Sequence, residues 1–214
     1  MTVRFADVAH AVKSMARTAV SNEESFGELD AVVGDGDFGY SMARGFEAVL
    51  AGWSEFEQGS IGGLLKGVAT TVMGRMGGTS GPIWGTAFLR AGVAAGDRLE
   101  LEAADVLAML RAAIDGIKQR GKADVGDKTL LDALVPAVDA LERELGGGAT
   151  AAVALSEAAA IASKSAEATR AMVARRGRAS YAGERSVGTL DAGAVAVARM
   201  FEDLAKQWSD STTE

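Results

Sequence analysis

The chain has no cysteine, one histidine, two prolines and few aromatic residues, 6% of its 214. Without cysteine there is no disulfide, no thiolate zinc site and no cysteine nucleophile. The lone histidine, His10, falls in the first helical stretch and reads as a packing or surface residue. With only Pro82 and Pro136 as breakers, and alanine, leucine and valine abundant, the composition favours helices over sheet. Positive charge is also in deficit, 22 Lys and Arg against 29 Asp and Glu for a net −7. That balance argues against a nucleic-acid backbone or an anionic membrane as partner. Charge interrupts every longer apolar run, and the N-terminal residues lack the apolar core of a signal peptide, so a soluble cytoplasmic protein is expected.

Against this background one stretch stands out. Asp30-Ala-Val-Val-Gly-Asp-Gly-Asp37 crowds three carboxylates into an apolar setting. Like charges about 4 Å apart repel by about 1 kcal/mol in water and about 4 kcal/mol at an effective dielectric near 20. Hard oxygen ligands separated by glycine suit Mg²⁺ or Ca²⁺, and Mg²⁺ is typically shared between one or two carboxylates and phosphate oxygens. Asp30, Asp35 and Asp37 are therefore the candidate metal ligands of a nucleotide site. Gly34, Gly36 and Gly39 also satisfy the G-x-G-x-x-G spacing of a dinucleotide fingerprint. That match is a decoy, because Asp35 and Asp37 would aim negative charge at the phosphates unless a cation lay between.

Apolar spacing predicts a first helix over Val3 to Ser21, with Phe5, Val8, Val12, Met15 and Ala19 on one face. Further helices are expected over Tyr40 to Trp53, Gly62 to Met73 and Pro82 to Arg90, the last opening on its proline. Ala104 to Arg120 follows, then Lys128 to Leu145, capped by Asp127 and bent at Pro136. Thr150 to Arg175 and Asp191 to Trp208 complete the set. Eight helices with no convincing strand give an all-α bundle or barrel, one domain over residues 1–208, with a polar tail at 209–214 expected to fray.

Two other stretches carry chemistry. Met76-Gly-Gly-Thr-Ser-Gly81 has the makings of an anion cradle, with converging N–H groups, the hydroxyls of Thr79 and Ser80, and a helix N-terminus behind. It is not a P-loop, since no Gly-Lys-Ser/Thr follows at the required spacing. The segment from Ala174 to Asp191 gathers Arg175, Arg176, Arg178 and Arg185 between two helices of an acidic chain. Arginine forks suit phosphate oxygens and the charge of a phosphoryl transition state. A charged glycine turn, Gly121 to Thr129, adds little alone.

Taken together, Gly34-Asp-Gly-Asp-Phe-Gly39, Gly77-Gly-Thr-Ser-Gly-Pro82, Arg120-Gly-Lys-Ala-Asp-Val-Gly-Asp-Lys-Thr129 and Gly177-Arg-Ala-Ser-Tyr-Ala-Gly-Glu-Arg-Ser186 resemble the nucleotide-binding L subunit of dihydroxyacetone kinases. The resemblance covers nearly the whole chain, in family order. It implies an eight-helix antiparallel barrel with the nucleotide, ADP or ATP, at one end. It implies that Asp30, Asp35 and Asp37 hold two Mg²⁺ ions and act in catalysis together with Arg178. Phe38, Gly39, Tyr40, Ser41, Gly78, Thr79 and Ser80 would contact the nucleotide, with Arg178 approaching from its loop. Gly121, Leu130, Asp191, Ala192 and Gly193 would line the nucleoside side.

The ketose, dihydroxyacetone or a four-carbon relative such as erythrulose, would be held by a separate K subunit. A phosphotransferase-system subunit as donor and a homodimer are both compatible with the resemblance. Phe38 stands where members using that donor commonly carry histidine, and Ala192 where they usually have proline, which leans toward direct use of ATP. A nucleotide-sensing regulatory protein and the nucleotide domain of a fatty-acid kinase are the alternatives. The Arg-Ala-Ser-Tyr-Ala-Gly-Glu-Arg stretch favours the ketose kinases.

Overall fold

A computed structural model describes residues 2–56 and 59–211. Nine α-helices among them make the protein all-α, as the composition predicts. They group into two compact units. The first comprises Met1–Ser21 with Ser41–Lys122, and the second Asn22–Tyr40 with Ala123–Glu214.

In the first unit, α1 (Phe5–Ser21) buries Val8, Val12, Ala16 and Ala19, four residues at helical spacing. α3 (Phe38–Ala51) belongs to this unit from Ser41 onward. α4 (Ile61–Arg75) starts on Ser60, whose hydroxyl accepts the Gly63 N–H at 3.0 Å. Against it lies α5 (Ser80–Ala95), and a Cβ on Gly62 would come within 2.3 Å of the Gly96 carbonyl oxygen. Glycine is therefore what lets these backbones meet. α5 starts at Ser80, two residues before the expected proline start, and Pro82 is its third residue. N–H groups of the whole first turn lack intrahelical acceptors, so proline is tolerated there too. α6 (Ala103–Gly121) opens with a capping box between Glu102 and Asp105.

One expectation needs correction here, since a short antiparallel pair exists: β1 (Thr2–Arg4) and β2 (Glu100–Glu102), with Val3 opposite Leu101. Three-residue strands with a single inward side chain leave no alternation to detect.

The second unit holds α2 (Glu23–Ala31), α7 (Leu131–Gly146), α8 (Ala151–Ala168) and α9 (Ala192–Ser211). α8 packs against α7 and α9, and α2 against α9. Ala154, Ala158, Ala162 and Ala166 form the buried stripe of α8, small enough for close approach. α2 is absent from the predicted set because nine residues with one fully buried side chain, Phe26, display no period.

α8 also stops earlier than expected. It passes through a 3₁₀ turn at Thr169–Ala171, and Met172 is extended. α9 runs three residues beyond Trp208, and residues 212–214 of the expected tail lie outside the described residues. No helix among the described residues is long and apolar enough to cross a membrane.

Candidate functional site

The carboxylate cluster forms at the end of α2. Asp30 lies in its last turn, and its carbonyl accepts the Gly34 N–H at 2.6 Å. The chain then loops through Asp35 and Asp37 into the first turn of α3, where the Phe38 N–H approaches an Asp30 carboxylate oxygen at 3.4 Å. Phe26 and Phe38 pack with ring centroids 6.1 Å apart, placing an apolar base under both ends of the loop.

Each glycine of the false fingerprint has its own local reason. A Cβ on Gly34 would fall 2.3 Å from an Asp30 carboxylate oxygen. Gly36 has φ +76°, the left-handed region. A Cβ on Gly39 would lie 1.9 Å from the Glu23 carbonyl oxygen and 2.5 Å from the Gly27 nitrogen, because α2 and the start of α3 touch backbone to backbone.

The result is a triad. Asp30, Asp35 and Asp37 each offer a carboxylate oxygen within 4.8 Å of the others. Arg178 reaches both Asp35, in close contact, and Asp37 at 3.3 Å. Two of the three acidic groups thus pair with one guanidinium. Opposite oxygens around Mg²⁺ are about 4 Å apart, twice its 2.0–2.1 Å bond length. The donor set and its spacing fit a divalent cation after small side-chain rotations.

Arg178 opens a 3₁₀ stretch, Arg178–Ser186, kinked at Gly183. The loop it belongs to is tied down from below. Arg175 donates its backbone N–H to the Asp127 carbonyl at 3.0 Å, and Arg176 pairs with the Asp127 carboxylate at 3.2 Å. Asp127 therefore does not cap α7 as expected. Asp132 organises that turn instead, its carboxylate accepting the N–H of Gly126 at 2.6 Å and of Thr129 at 2.7 Å.

Between them sits Lys128, 2% exposed and in the left-handed conformation at φ +61°. Burial lowers the pKa of its ammonium group, with Asp191 opposing the shift. Sequence reading assigned Lys128 and Asp132 no role, although both lie in or beside a quoted motif. Nothing in periodicity marks a lysine as buried when its partners are main-chain carbonyls.

Of the remaining predicted residues, Leu130 meets the turn before α9. A Cβ on Gly193 would lie 3.3 Å from the Leu130 Cβ and 3.1 Å from an Asp191 carboxylate oxygen. Asp191 caps α9 by accepting the Ala194 N–H at 2.7 Å. Its pKa rises to about 7, chiefly by desolvation, with Asp132 and Asp30 repelling the charge and the Ala194 N–H and Lys128 opposing. Ala192 and Gly193 form the first residues of that helix.

In the first unit, Ser41 approaches the glycine turn, its hydroxyl 3.2 Å from a Cβ placed on Gly77. Gly78 has φ +60°, and Thr79 precedes α5 without a side-chain cap bond. Gly121 ends α6. Tyr40 is exposed in the first turn of α3.

Fold and site together define an all-α protein with an arginine-faced carboxylate triad suited to a divalent cation. Residues 32–206 match the DAK2 domain, and the chain belongs to that family. It is 42% identical over 177 residues to the PEP-dependent dihydroxyacetone kinase, ADP-binding subunit DhaL, of Escherichia coli K12, covering 83% of this chain and 84% of that protein. It is 37% identical to the D-erythrulose kinase of Mycolicibacterium smegmatis, covering 89% of this chain and 33% of that one. The crystal structure of the dihydroxyacetone kinase from C. freundii in complex with AMP-PNP and Mg²⁺ superposes with a TM-score of 0.75 at 28% identity, covering 94% of this chain and 34% of that one. The chain thus spans about a third of those two larger proteins.

Proposed function

We propose that this chain is the Mg-nucleotide-bearing subunit of a short-chain ketose kinase, passing a phosphoryl group to dihydroxyacetone or erythrulose held by a separate K-type subunit. It is a phosphotransferase component, active only with that partner, and works in the cytoplasm. The observation that carries this reading is the convergence of Asp30, Asp35 and Asp37 within 4.8 Å, beneath Arg178, in a DAK2-family chain.

Asp30, Asp35 and Asp37 would hold Mg²⁺, one ion or two. When bound, the cation supplies charge neutralisation to phosphate oxygens. The Arg178 fork, which grips two carboxylates here, is equally shaped for two phosphate oxygens, where it stabilises developing charge. Phe38, Gly39, Tyr40 and Ser41 follow the metal loop directly and are assigned to the nucleotide by their motif. Gly78, Thr79 and Ser80 are assigned to its phosphates on the same ground, the helix N-terminus and hydroxyls supporting the choice. Leu130 and the Asp191–Gly193 turn, which meet in this structure, form the nucleoside side together with Gly121 by motif.

The higher identity to an ADP-binding, PEP-dependent subunit favours a resident ADP rephosphorylated in place by a phosphotransferase-system donor, over the ATP use that Phe38 suggests. Gel filtration after loading distinguishes the two, since resident ADP co-elutes with the protein and an exchanging ATP does not. The decisive test of the reading itself is calorimetry with ADP or ATP and Mg²⁺, followed by a coupled assay with a K-type subunit on both ketoses. Nucleotide binding that depends on Mg²⁺ is expected, and a folded protein that binds neither nucleotide defeats it.

A further inference from the structure

Lys128 is buried, has no carboxylate in direct contact among the described residues, and sits in a backbone conformation that a non-glycine residue adopts at a cost of about 1–3 kcal/mol. Both features are unfavourable for the fold alone. Its ammonium group has three protons and four acceptors: the carbonyls of Met172 at 3.3 Å, Thr189 at 2.8 Å and Ser186, closer still, with the Thr189 hydroxyl at 3.2 Å. Met172 precedes the four arginines, whereas Ser186 and Thr189 follow them. One cation therefore draws together the two ends of the loop that carries Arg175, Arg176, Arg178 and Arg185.

Neighbouring bonds complete the closure. Ser186 accepts the Ala174 N–H at 2.8 Å and donates to the Gly183 carbonyl at 2.6 Å. Arg170 and Gly188 exchange bonds at 2.8 and 2.9 Å. The residue before Lys128, Asp127, holds Arg175 and Arg176, while Arg178, two residues further, reaches Asp35 and Asp37.

We infer that Lys128 is a positioning residue: its ammonium group closes the arginine loop on itself and thereby sets Arg178 over the carboxylate triad. This rests on the role proposed above for Arg178. A neutral side chain such as methionine, one atom shorter, would fill most of the space and leave the three carbonyls without their shared donor. The loop ends would then part, and Arg178 would lose its fixed approach.

The test is a double-mutant cycle between Lys128→Met and Arg178→Ala, read in two ways. Turnover with the K-type subunit should fall at least about tenfold in Lys128→Met, since misplacing a catalytic group by about 1 Å can cost on the order of a hundredfold. KM for the ketose should stay within about twofold. In the Arg178→Ala background Lys128→Met should cost nothing more, because its effect passes through the missing guanidinium. A purely structural lysine would lower turnover equally in both backgrounds, and that result overturns the inference.

The second readout is trypsin cleavage at Arg175, Arg176, Arg178 and Arg185 of the folded protein, which makes no reference to activity. Faster cutting in Lys128→Met supports the clamp, and an unchanged rate sinks it even if the kinase reading holds. A wild type without transfer activity would instead remove the proposed function, leaving the clamp to the protease. Should Lys128→Met not fold, Thr189→Val removes one acceptor hydroxyl and should show the same background dependence at about two- to threefold. The chain has no cysteine, so Lys128→Cys aminoethylated while unfolded restores an ammonium group at that position alone. Recovery of turnover on refolding is expected, and failure to recover counts against the ammonium.

Discussion

The acidic loop and the arginine loop are both irregular and glycine-rich, yet they are held by opposite means. Asp30 to Asp37 is short and fixed by main-chain sterics. α2 and α3 press together at Gly39, and Gly36 turns the chain where φ is +76°. The arginine loop is long, and no helix pair pinches it. Side chains hold it, chiefly the Lys128 ammonium and the Asp127 carboxylate. Backbone contact gives a stiff platform for ligands. A polar clamp gives a defined but yielding mount.

The largest effect expected from breaking this contrast is on the stiff side. Gly39→Ala places a methyl group 1.9 Å from the Glu23 carbonyl oxygen, against backbone that cannot rotate away. Stability to urea should drop by about 3 kcal/mol, the upper end of overpacking costs. A loss under about 1 kcal/mol would show that α2 slides freely.

Next in size is Asp35→Asn, which keeps the loop and removes a ligand charge. Mg²⁺-dependent nucleotide affinity should fall by about 1.5–3 kcal/mol, as for lost bonds to charged groups, while the melting curve barely moves. Unchanged affinity in calorimetry would contradict the metal assignment.

A pH-dependent effect concerns Asp191, whose pKa is raised from 3.8 to about 7 in the folded protein. A raised carboxyl pKa means that the fold binds the proton more tightly than the unfolded chain. Its contribution is full below about pH 4 and disappears as pH rises through about 7. Without Mg²⁺, the stability of wild type minus that of Asp191→Asn should therefore decline between those limits. A flat difference curve would refute the desolvation argument.

Smallest of all, Arg176→Ala removes an exposed pair with Asp127 and should change stability by less than about 1 kcal/mol. A larger loss would mean that the arginine loop depends on its rim and not on Lys128.

The same contrast explains what could be read in advance. The acidic triad was visible because three adjacent carboxylates need an explanation wherever they occur, and the all-α architecture followed from composition. The glycines between the carboxylates signalled freedom, although Gly39 serves closeness instead. Lys128 was invisible because its partners are carbonyls from residues 44 to 61 positions away, and carbonyls leave no trace in side-chain identity. Asp127 fitted the pattern of a helix cap but answers Arg175 and Arg176 across the fold. The helix expected to Arg175 ends early, as α8, for a related reason. Alanine favours helix up to Ala174, yet Thr169, fully buried, turns its hydroxyl to the Ala166 carbonyl and accepts the Asp191 N–H, and the chain departs there.

The pinch between Gly27 and Gly39 bears on ion choice. If the turn chelates a cation, its clamped roots limit how far the backbone can open, which would favour a small ion with bonds near 2.0–2.1 Å. A larger alkaline-earth ion, with its 2.3–2.6 Å shell and higher coordination, would need more spread. Preference for magnesium over calcium would then arise in the joint between two helices, two to three residues from the nearest candidate ligand.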